Sequence, residues 1–143
     1  MTAHDLTPVQ EIAGMYFKRD DLYTPFGAGG VNGGKLRQCM LLVEAAWERE
    51  PGTKGVITYC SLHSPQAPIT AAVAKHYGLP CVVAYGGASD ISVATGGMPR
   101  LSMSYGASVQ VIAKSGRHNV LKQRAEALAE ARGLFVVQYG INL

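Results

Sequence analysis

A lysine at the end of a glycine-rich stretch is the first feature of this sequence that could carry chemistry. Residues 27–38 read GAGGVNGGKLRQ, so five glycines occupy the eight positions before Lys35. Glycine allows sharp turns and a close approach of the backbone to a ligand. A cation is unfavourable at the start of a helix, and burial there favours the neutral amine, which condenses with carbonyl compounds. A solvated surface lysine is the simpler interpretation, and spacing alone leaves both open.

Phosphate binding is the other chemistry that a glycine loop before a helix indicates. The nucleotide-binding P-loop is excluded here, because no Ser or Thr follows Lys35 and no strongly apolar strand leads directly into the loop.

A second candidate is the segment SLHSPQAP, residues 61–68, which precedes a helical pattern. Ser64 followed by Pro65 is typical of a helix N-cap with proline at the first helical position. Ser64 either caps the helix only, or its hydroxyl and the N–H groups of Gln66 and Ala67 also bind a carboxylate or phosphate. The two roles are compatible, and the residues alone do not separate them.

The elements that must position these residues alternate regularly. Apolar runs at 55–60, 80–86, 107–113 and 134–140 predict strands, and the segments 65–78, 98–106 and 117–133 predict helices between them. This order is that of a parallel βαβαβαβ sheet covered by helices on both faces, a three-layer α/β domain of Rossmann-like type. We therefore predict a small domain over residues 54–143.

Residues 1–53 do not continue that alternation. One strand is predicted within 15–22, the glycine loop follows, and a helix runs from Lys35 to about residue 49 with Leu36, Met40, Val43 and Trp47 at helical spacing. We treat this segment as part of an incomplete larger domain, whose helix needs a cover for its apolar face.

Composition narrows the class of protein. The chain has 143 residues, 48% hydrophobic and 16% charged, with a net charge of +3 and no long basic run, which argues against a nucleic-acid partner. Three cysteines within apolar runs indicate core thiols in a reducing, cytoplasmic setting. Neither a metal-ligand cluster nor a membrane-spanning run is expected from the spacing of residues.

The motifs also occur in register with those of a known family. Residues 15–46 and 55–87 together resemble the N-terminal half of the fold-type II pyridoxal-phosphate enzymes of the tryptophan synthase β-like superfamily. The branch that they resemble contains aminocyclopropane-carboxylate deaminase and D-cysteine desulfhydrase. The resemblance is carried by Lys18 to Leu22, Lys35 with Arg37, Ser64, Ala71 to Ala74, and Gly78 with Leu79.

This resemblance implies a function and a set of site residues. Lys35 would hold pyridoxal 5'-phosphate as a Schiff base, and Gly33, Gly34 and Gln66 would lie against the cofactor. Ser64 would be the second catalytic residue, and Ser64, Gln66 and Ala67 would bind the carboxylate of a small amino-acid substrate. The implied reaction is that of a lyase or deaminase.

The chain departs from the family pattern at three points, which leave two hypotheses. Gly34 and Pro65 stand where the family usually has asparagine, and about half of the family's usual length is present. In the first hypothesis the chain is an enzyme that completes its site by homo-oligomerisation or with a complementary large-domain chain. In the second it is a non-catalytic relative that binds an anionic small molecule or a partner protein. Lys35 favours the first, and the missing asparagines favour the second.

Overall fold

The structure is a computed structural model that describes residues 1–142. Six strands and five helices form in the order β1 Val9–Ile12, β2 Met15–Lys18, α1 Gly34–Arg49, β3 Gly55–Tyr59, α2 Gln66–His76, β4 Cys81–Gly86, α3 Asp90–Thr95, α4 Gly97–Ser104, β5 Ser108–Ala113, α5 His118–Arg132 and β6 Leu134–Val137. Two 3-10 turns, Asp20–Leu22 and Tyr139–Ile141, follow β2 and β6.

The predicted parallel sheet is confirmed. Strands β3 to β6 form a four-stranded sheet in the order β5-β4-β3-β6, in which all neighbours are parallel. Every residue of β3 is buried, as expected for a strand that is covered on both faces. Val56 and Val83 pack in the core on the side of α1 and α2, whereas Ile57 pairs with Leu121 of α5 in the core on the other side.

Helix α5 covers the second face of the sheet with small and branched side chains. Leu121, Ala125 and Ala129 are buried at intervals of four residues, so one stripe of the helix faces the strands. Gly133 ends the helix in the left-handed conformation, with φ 69° and ψ 39°, which glycine adopts without a Cβ clash. The structure therefore has the three-layer architecture that the alternation of apolar runs and helical segments predicts.

Helix α1 finds most of its cover within the chain. Leu36, Met40 and Val43 are buried in the same core as α2, whereas Trp47 remains 45% exposed. The helix packs on α2 and reaches the end of β6, so residues 34–49 add to the helical layer of the small domain. The division of the chain into two domains, 1–53 and 54–143, stays a prediction.

The N-terminal segment differs from the single strand that was predicted there. Strands β1 and β2 form an antiparallel hairpin in which Val9 pairs with Lys18 and Ile12 with Met15. The sequence did not indicate β1, because the segment VQEI is short and has no clear alternation. All eight strand residues are exposed, so pairing between the two strands, and not burial, defines this hairpin.

A second helix was also missed, before the one predicted over residues 98–106. The structure has α3 and α4 on either side of Gly96. Ser89 caps α3, since its Oγ accepts a hydrogen bond of 3.1 Å from the backbone N–H of Ser92. Six residues are too few for a hydrophobic period to be visible in the sequence, and only Val93 of α3 is buried.

The three cysteines are free and buried, as predicted for core thiols. Burial raises the pKa of Cys39, Cys60 and Cys81 to about 12, so all three stay protonated at neutral pH. Within residues 1–142 no helix has both the length and the hydropathy needed to cross a bilayer. In the same residues no three His, Cys, Asp or Glu side chains are grouped so that they could hold a metal ion.

Candidate functional site

A cleft of about 200 Å³ brings the two sequence-predicted catalytic residues together. It lies where the start of α1, the loop that enters α2, and the turn after β6 meet. Its lining consists of Lys35, Ser64, Pro65, Gln66, Ile69, Gly140 and Ile141. Lys35 and Ser64 are separated by almost thirty positions in the chain, and their placement on one cleft is the main feature of the site.

The Lys35 amine is exposed and is held by two neutral oxygen acceptors. Its Nζ donates to the carbonyl oxygen of Gly140 at 2.5 Å and to Oε1 of Gln38 at 3.3 Å. Among residues 1–142, no carboxylate pairs with this amine. The burial expected from the sequence is not observed, and the amine is oriented without an acidic partner.

The turn that provides the Gly140 carbonyl has an unusual backbone. Gly140 and Ile141 have φ angles of 77° and 53°. A β-branched residue such as isoleucine rarely has positive φ, and such a conformation costs on the order of 1–3 kcal/mol. Ile141 is nevertheless buried, and its N–H donates to the carbonyl of Gln138 at 2.9 Å. The surrounding structure therefore imposes this turn, which points the Gly140 carbonyl at Lys35.

The side chain of Gln66 holds that turn in place. Its Nε2 donates to Thr58 Oγ1 at 2.8 Å, with longer contacts to the carbonyls of Tyr59 at 3.3 Å and Gln138 at 3.2 Å. Its Oε1 accepts a hydrogen bond of 2.8 Å from the N–H of Gly140. This amide is buried, and all of its polar atoms bond within the protein. Only the backbone N–H of Gln66 can therefore take the ligand-binding role that was predicted for this residue.

Ser64 lies at the entry to α2 and acts on the backbone of that helix. Its Oγ accepts a hydrogen bond of 3.2 Å from the N–H of Gln66, across Pro65. The structure places the N-cap of α2 at Pro65, without a side-chain cap, and the helix begins at Gln66, so the positions predicted for Ser64 and Pro65 are wrong by one residue. The half-buried hydroxyl also lines the cleft, where it faces the same space as the Lys35 amine.

Three of the predicted contact residues lie away from the cleft lining. Ala67 is fully buried, and its N–H interacts with the sulfur of Cys60. Burial is the main reason that the pKa of Cys60 is raised to about 12, and this hydrogen bond opposes it only in part. Gly33, which is buried with φ 95°, and Gly34, which begins α1, are not part of the lining. Their roles toward a cofactor stay predictions.

Other lining residues were missed by the sequence reasoning. Gly140 and Ile141 contribute the carbonyl and the floor of the cleft, and Ile69 contributes apolar surface one turn into α2. A glycine directly after an apolar strand was a usable signal for Gly140, since ligands often bind at the carboxyl ends of parallel strands. Arg37, which belongs to the motif that resembles the family, does not line the cleft. Its guanidinium group stacks on Tyr23, with Cζ 4.3 Å from the ring centroid.

Comparison with known proteins gives a consistent group of relatives, although no protein-family model matches the chain. The chain is 28% identical over 137 residues to the O-seryl-dTMP PLP-dependent decarboxylase of Salmonella phage ViI. The match includes 90% of this chain and 32% of that protein. An ACC deaminase homologue of known structure is 27% identical, with a TM-score of 0.68 over 98% of this chain and 44% of its own. The chain is therefore similar, in sequence and in fold, to part of the fold-type II pyridoxal-phosphate enzymes.

The structure of a pyridoxal 5'-phosphate-dependent aspartate racemase has the same fold, with a TM-score of 0.57 at 24% identity over 86% of this chain and 33% of its own. The chain thus spans between a third and less than half of the length of these relatives. The resemblance predicted from the sequence, including its restriction to part of the family's length, is confirmed.

The cleft fits one end of a pyridoxal phosphate molecule. An exposed primary amine without an acidic partner, beside the N-terminus of a helix, suits an aldehyde and a neighbouring carboxylate. The glycine loop at residues 27–34 does not line the cleft, so the fit concerns the reactive end of the cofactor and not its phosphate.

The Gln66 network generates a test of how the cleft is built. Replacing Gln66 by Leu leaves the Gly140 N–H without its partner and removes the donor to the Thr58 hydroxyl, which keeps its own bond to the Val137 carbonyl. It should lower the free energy of unfolding by about 2–3 kcal/mol. Urea denaturation followed by circular dichroism measures this loss. Gln110→Leu is the control, because that side chain is only half-buried and bonds to the exposed Ser108 hydroxyl. Equal effects of both substitutions would contradict the role of Gln66.

Proposed function

We propose that this chain forms the lysine-bearing part of a pyridoxal-phosphate-dependent enzyme that acts on an amino acid. The observation that carries the proposal is the cleft at the start of α2 that Lys35 and Ser64 both line. The relatives are named as a decarboxylase, a deaminase homologue and a racemase, and two of these names specify the cofactor. The predicted cofactor is thereby supported.

Lys35 has two tasks in this proposal. Its Nζ would hold pyridoxal phosphate, and the same Nζ, when free, would accept or deliver a proton. The Gly140 carbonyl, 2.5 Å from Nζ, orients the amine for both tasks. When it is bound, pyridoxal phosphate supplies a ring that withdraws electrons and stabilises negative charge on the substrate.

Ser64 and the first turn of α2 bind the substrate carboxylate. The Ser64 hydroxyl can turn from the Gln66 N–H to donate to a carboxylate, and the Gln66 N–H then becomes available to the same anion. The positive end of the helix dipole favours this arrangement. Pro65 supplies no N–H, so the carboxylate relies on these two donors.

The class of substrate is an amino acid, and the reaction on it is of the lyase or deaminase type. The name of the phage relative specifies a seryl group joined through oxygen to a thymidine nucleotide. We infer that the cleft of this chain takes the amino-acid end of such a molecule or a free small amino acid. The volume of about 200 Å³ suits that end alone.

We further propose that a second copy of this chain covers the β1–β2 hairpin. Ile12, Met15 and Phe17 lie on one face of the hairpin and are 46%, 59% and 41% exposed, which leaves an apolar face in water. A two-stranded hairpin without a cover is marginally stable, and contiguous apolar surface of this kind marks association sites.

Lys35 is tested by adding pyridoxal phosphate to the chain and recording the visible spectrum. We expect an absorption band at roughly 410–430 nm that is lost in Lys35→Ala, because the bound cofactor needs that amine. Lys122→Ala is the control, since Lys122 is an exposed lysine on α5 paired only with Glu126. No band, or a band that persists in Lys35→Ala, would contradict the enzyme proposal and favour a non-catalytic relative.

Association through the hairpin is tested by sedimentation at micromolar concentration. The chain should sediment as a dimer or larger species, and Met15→Glu should shift it to the monomer, because a charge on the covered face is costly. Ile91→Glu is the matched control, since Ile91 is 76% exposed on α3, away from the hairpin. A monomeric native chain would overturn this part of the proposal.

A further inference from the structure

A second, larger cleft adjoins the Lys35 cleft at the same edge of the sheet. Its volume is about 450 Å³, and it lies between the ends of β3 and β4 and the start of α5. Ser61, Ser89, His118 and Tyr139 are among the side chains that line it. The loop 61–66 and the turn 139–141 separate the two clefts and contribute residues to both.

The two clefts differ in size in a way that suggests a division of roles. Ligand sites of small molecules usually have volumes of about 300–1,000 Å³. The Lys35 cleft is below that range and the second cleft is within it. Tyr139 directly precedes Gly140, whose carbonyl holds the Lys35 amine, and adjacent Cα atoms are about 3.8 Å apart. A molecule bound at Lys35 can therefore extend a substituent past Tyr139.

An oriented aromatic ring is the main recognition feature of the second cleft. The His118 ring meets the Tyr139 ring edge-on, with centroids 4.1 Å apart and an interplanar angle of 72°. His118 in turn lies 5.4 Å from the ring of Tyr59, whose hydroxyl donates to Gln138 Oε1 at 2.7 Å. Tyr139 is thus supported from one side and remains 47% exposed. A supported, exposed aromatic ring is a stacking platform for a planar heterocycle.

The charges around the cleft suit an anion. Among the described residues that line it, none is a carboxylate. Ser61 supplies a hydroxyl group, whereas the hydroxyls of Ser89 and Ser92 bond to each other and to the backbone at the start of α3. Arg117 lies between the lining residues Gly116 and His118 at the start of α5, whose first N–H groups have no side-chain cap. Lys114 lines the open surface next to it, which shares Gly87 and Ser89. Asp90, which follows Ser89, is an acidic residue at this rim, and Glu126 of α5 lies near Tyr59 behind His118.

We propose that the second cleft binds a nucleotide carried on the side chain of the amino-acid substrate. The base stacks on Tyr139, and the phosphate lies at the basic rim formed by Arg117 and Lys114. The identity of the amino-acid end rests on the proposed function, but the nucleotide subsite rests on the second cleft itself. Tyr139 is therefore assigned as the residue that selects a nucleotide-bearing substrate over a free amino acid.

The test is isothermal titration of the 143-residue chain with thymidine 5'-monophosphate, without pyridoxal phosphate. We expect saturable binding that Tyr139→Ala weakens about 10-fold or more, as is usual when a stacking ring is removed. Tyr139→Phe keeps the ring and should retain the affinity. Trp47→Ala is the matched control, because Trp47 is also an aromatic residue of similar exposure, at 45%, on α1.

Each outcome decides the proposal. Absence of binding, equal binding by Tyr139→Ala, or full competition by inorganic phosphate alone would overturn the nucleotide subsite. Titration with a thymidine tetranucleotide distinguishes the source, since much tighter binding than that of the monomer would indicate a nucleotide within a polymer. If the native chain binds thymidine monophosphate while no Lys35-dependent cofactor band appears, the proposed function fails and the subsite stands.

Discussion

One buried amide determines how the candidate site is assembled. Gln66 bonds to Thr58 on β3, to the carbonyl of Gln138 after β6, and to the N–H of Gly140. Two neighbouring strands and the first turn of α2 are therefore tied at one point. The Gly140 carbonyl then faces outward and holds the Lys35 amine, so the position of the lysine depends on a contact that Lys35 does not make itself. This assembly requires a positive φ at Ile141, which costs conformational free energy.

The regular part of the fold was predictable because each element carries its own signal. Strands β3 and β4 are continuous apolar runs, and α5 shows an apolar stripe closed by Gly133. The hairpin strand β1 and the short helix α3 gave no such signal. Both are short, and their residues are almost all exposed, so their sequences show neither a hydrophobic period nor an apolar run.

The candidate site was predictable in its chemistry and less so in its contacts. Lys35 and Ser64 were identified from local features, a glycine loop and a cap, and the topology then places them on one cleft. The directions of side chains and N–H groups could not be deduced in this way. Ala67 interacts with the Cys60 sulfur and the Gln66 amide is used internally, because both depend on which strand lies beneath the start of α2. No local pattern indicated that His118 would support Tyr139, because their contact depends on how α5 docks beside the turn after β6.

The most direct measurement of the central claim is chemical. Incubation with pyridoxal phosphate, reduction with borohydride and mass spectrometry of the peptides locate the lysine that binds the cofactor. The account predicts a pyridoxyl group at Lys35, formed before any of the other lysines reacts, because its amine is oriented into the cleft by Gly140. Labelling spread over surface lysines such as Lys114 and Lys122, with Lys35 no faster than they are, would contradict it.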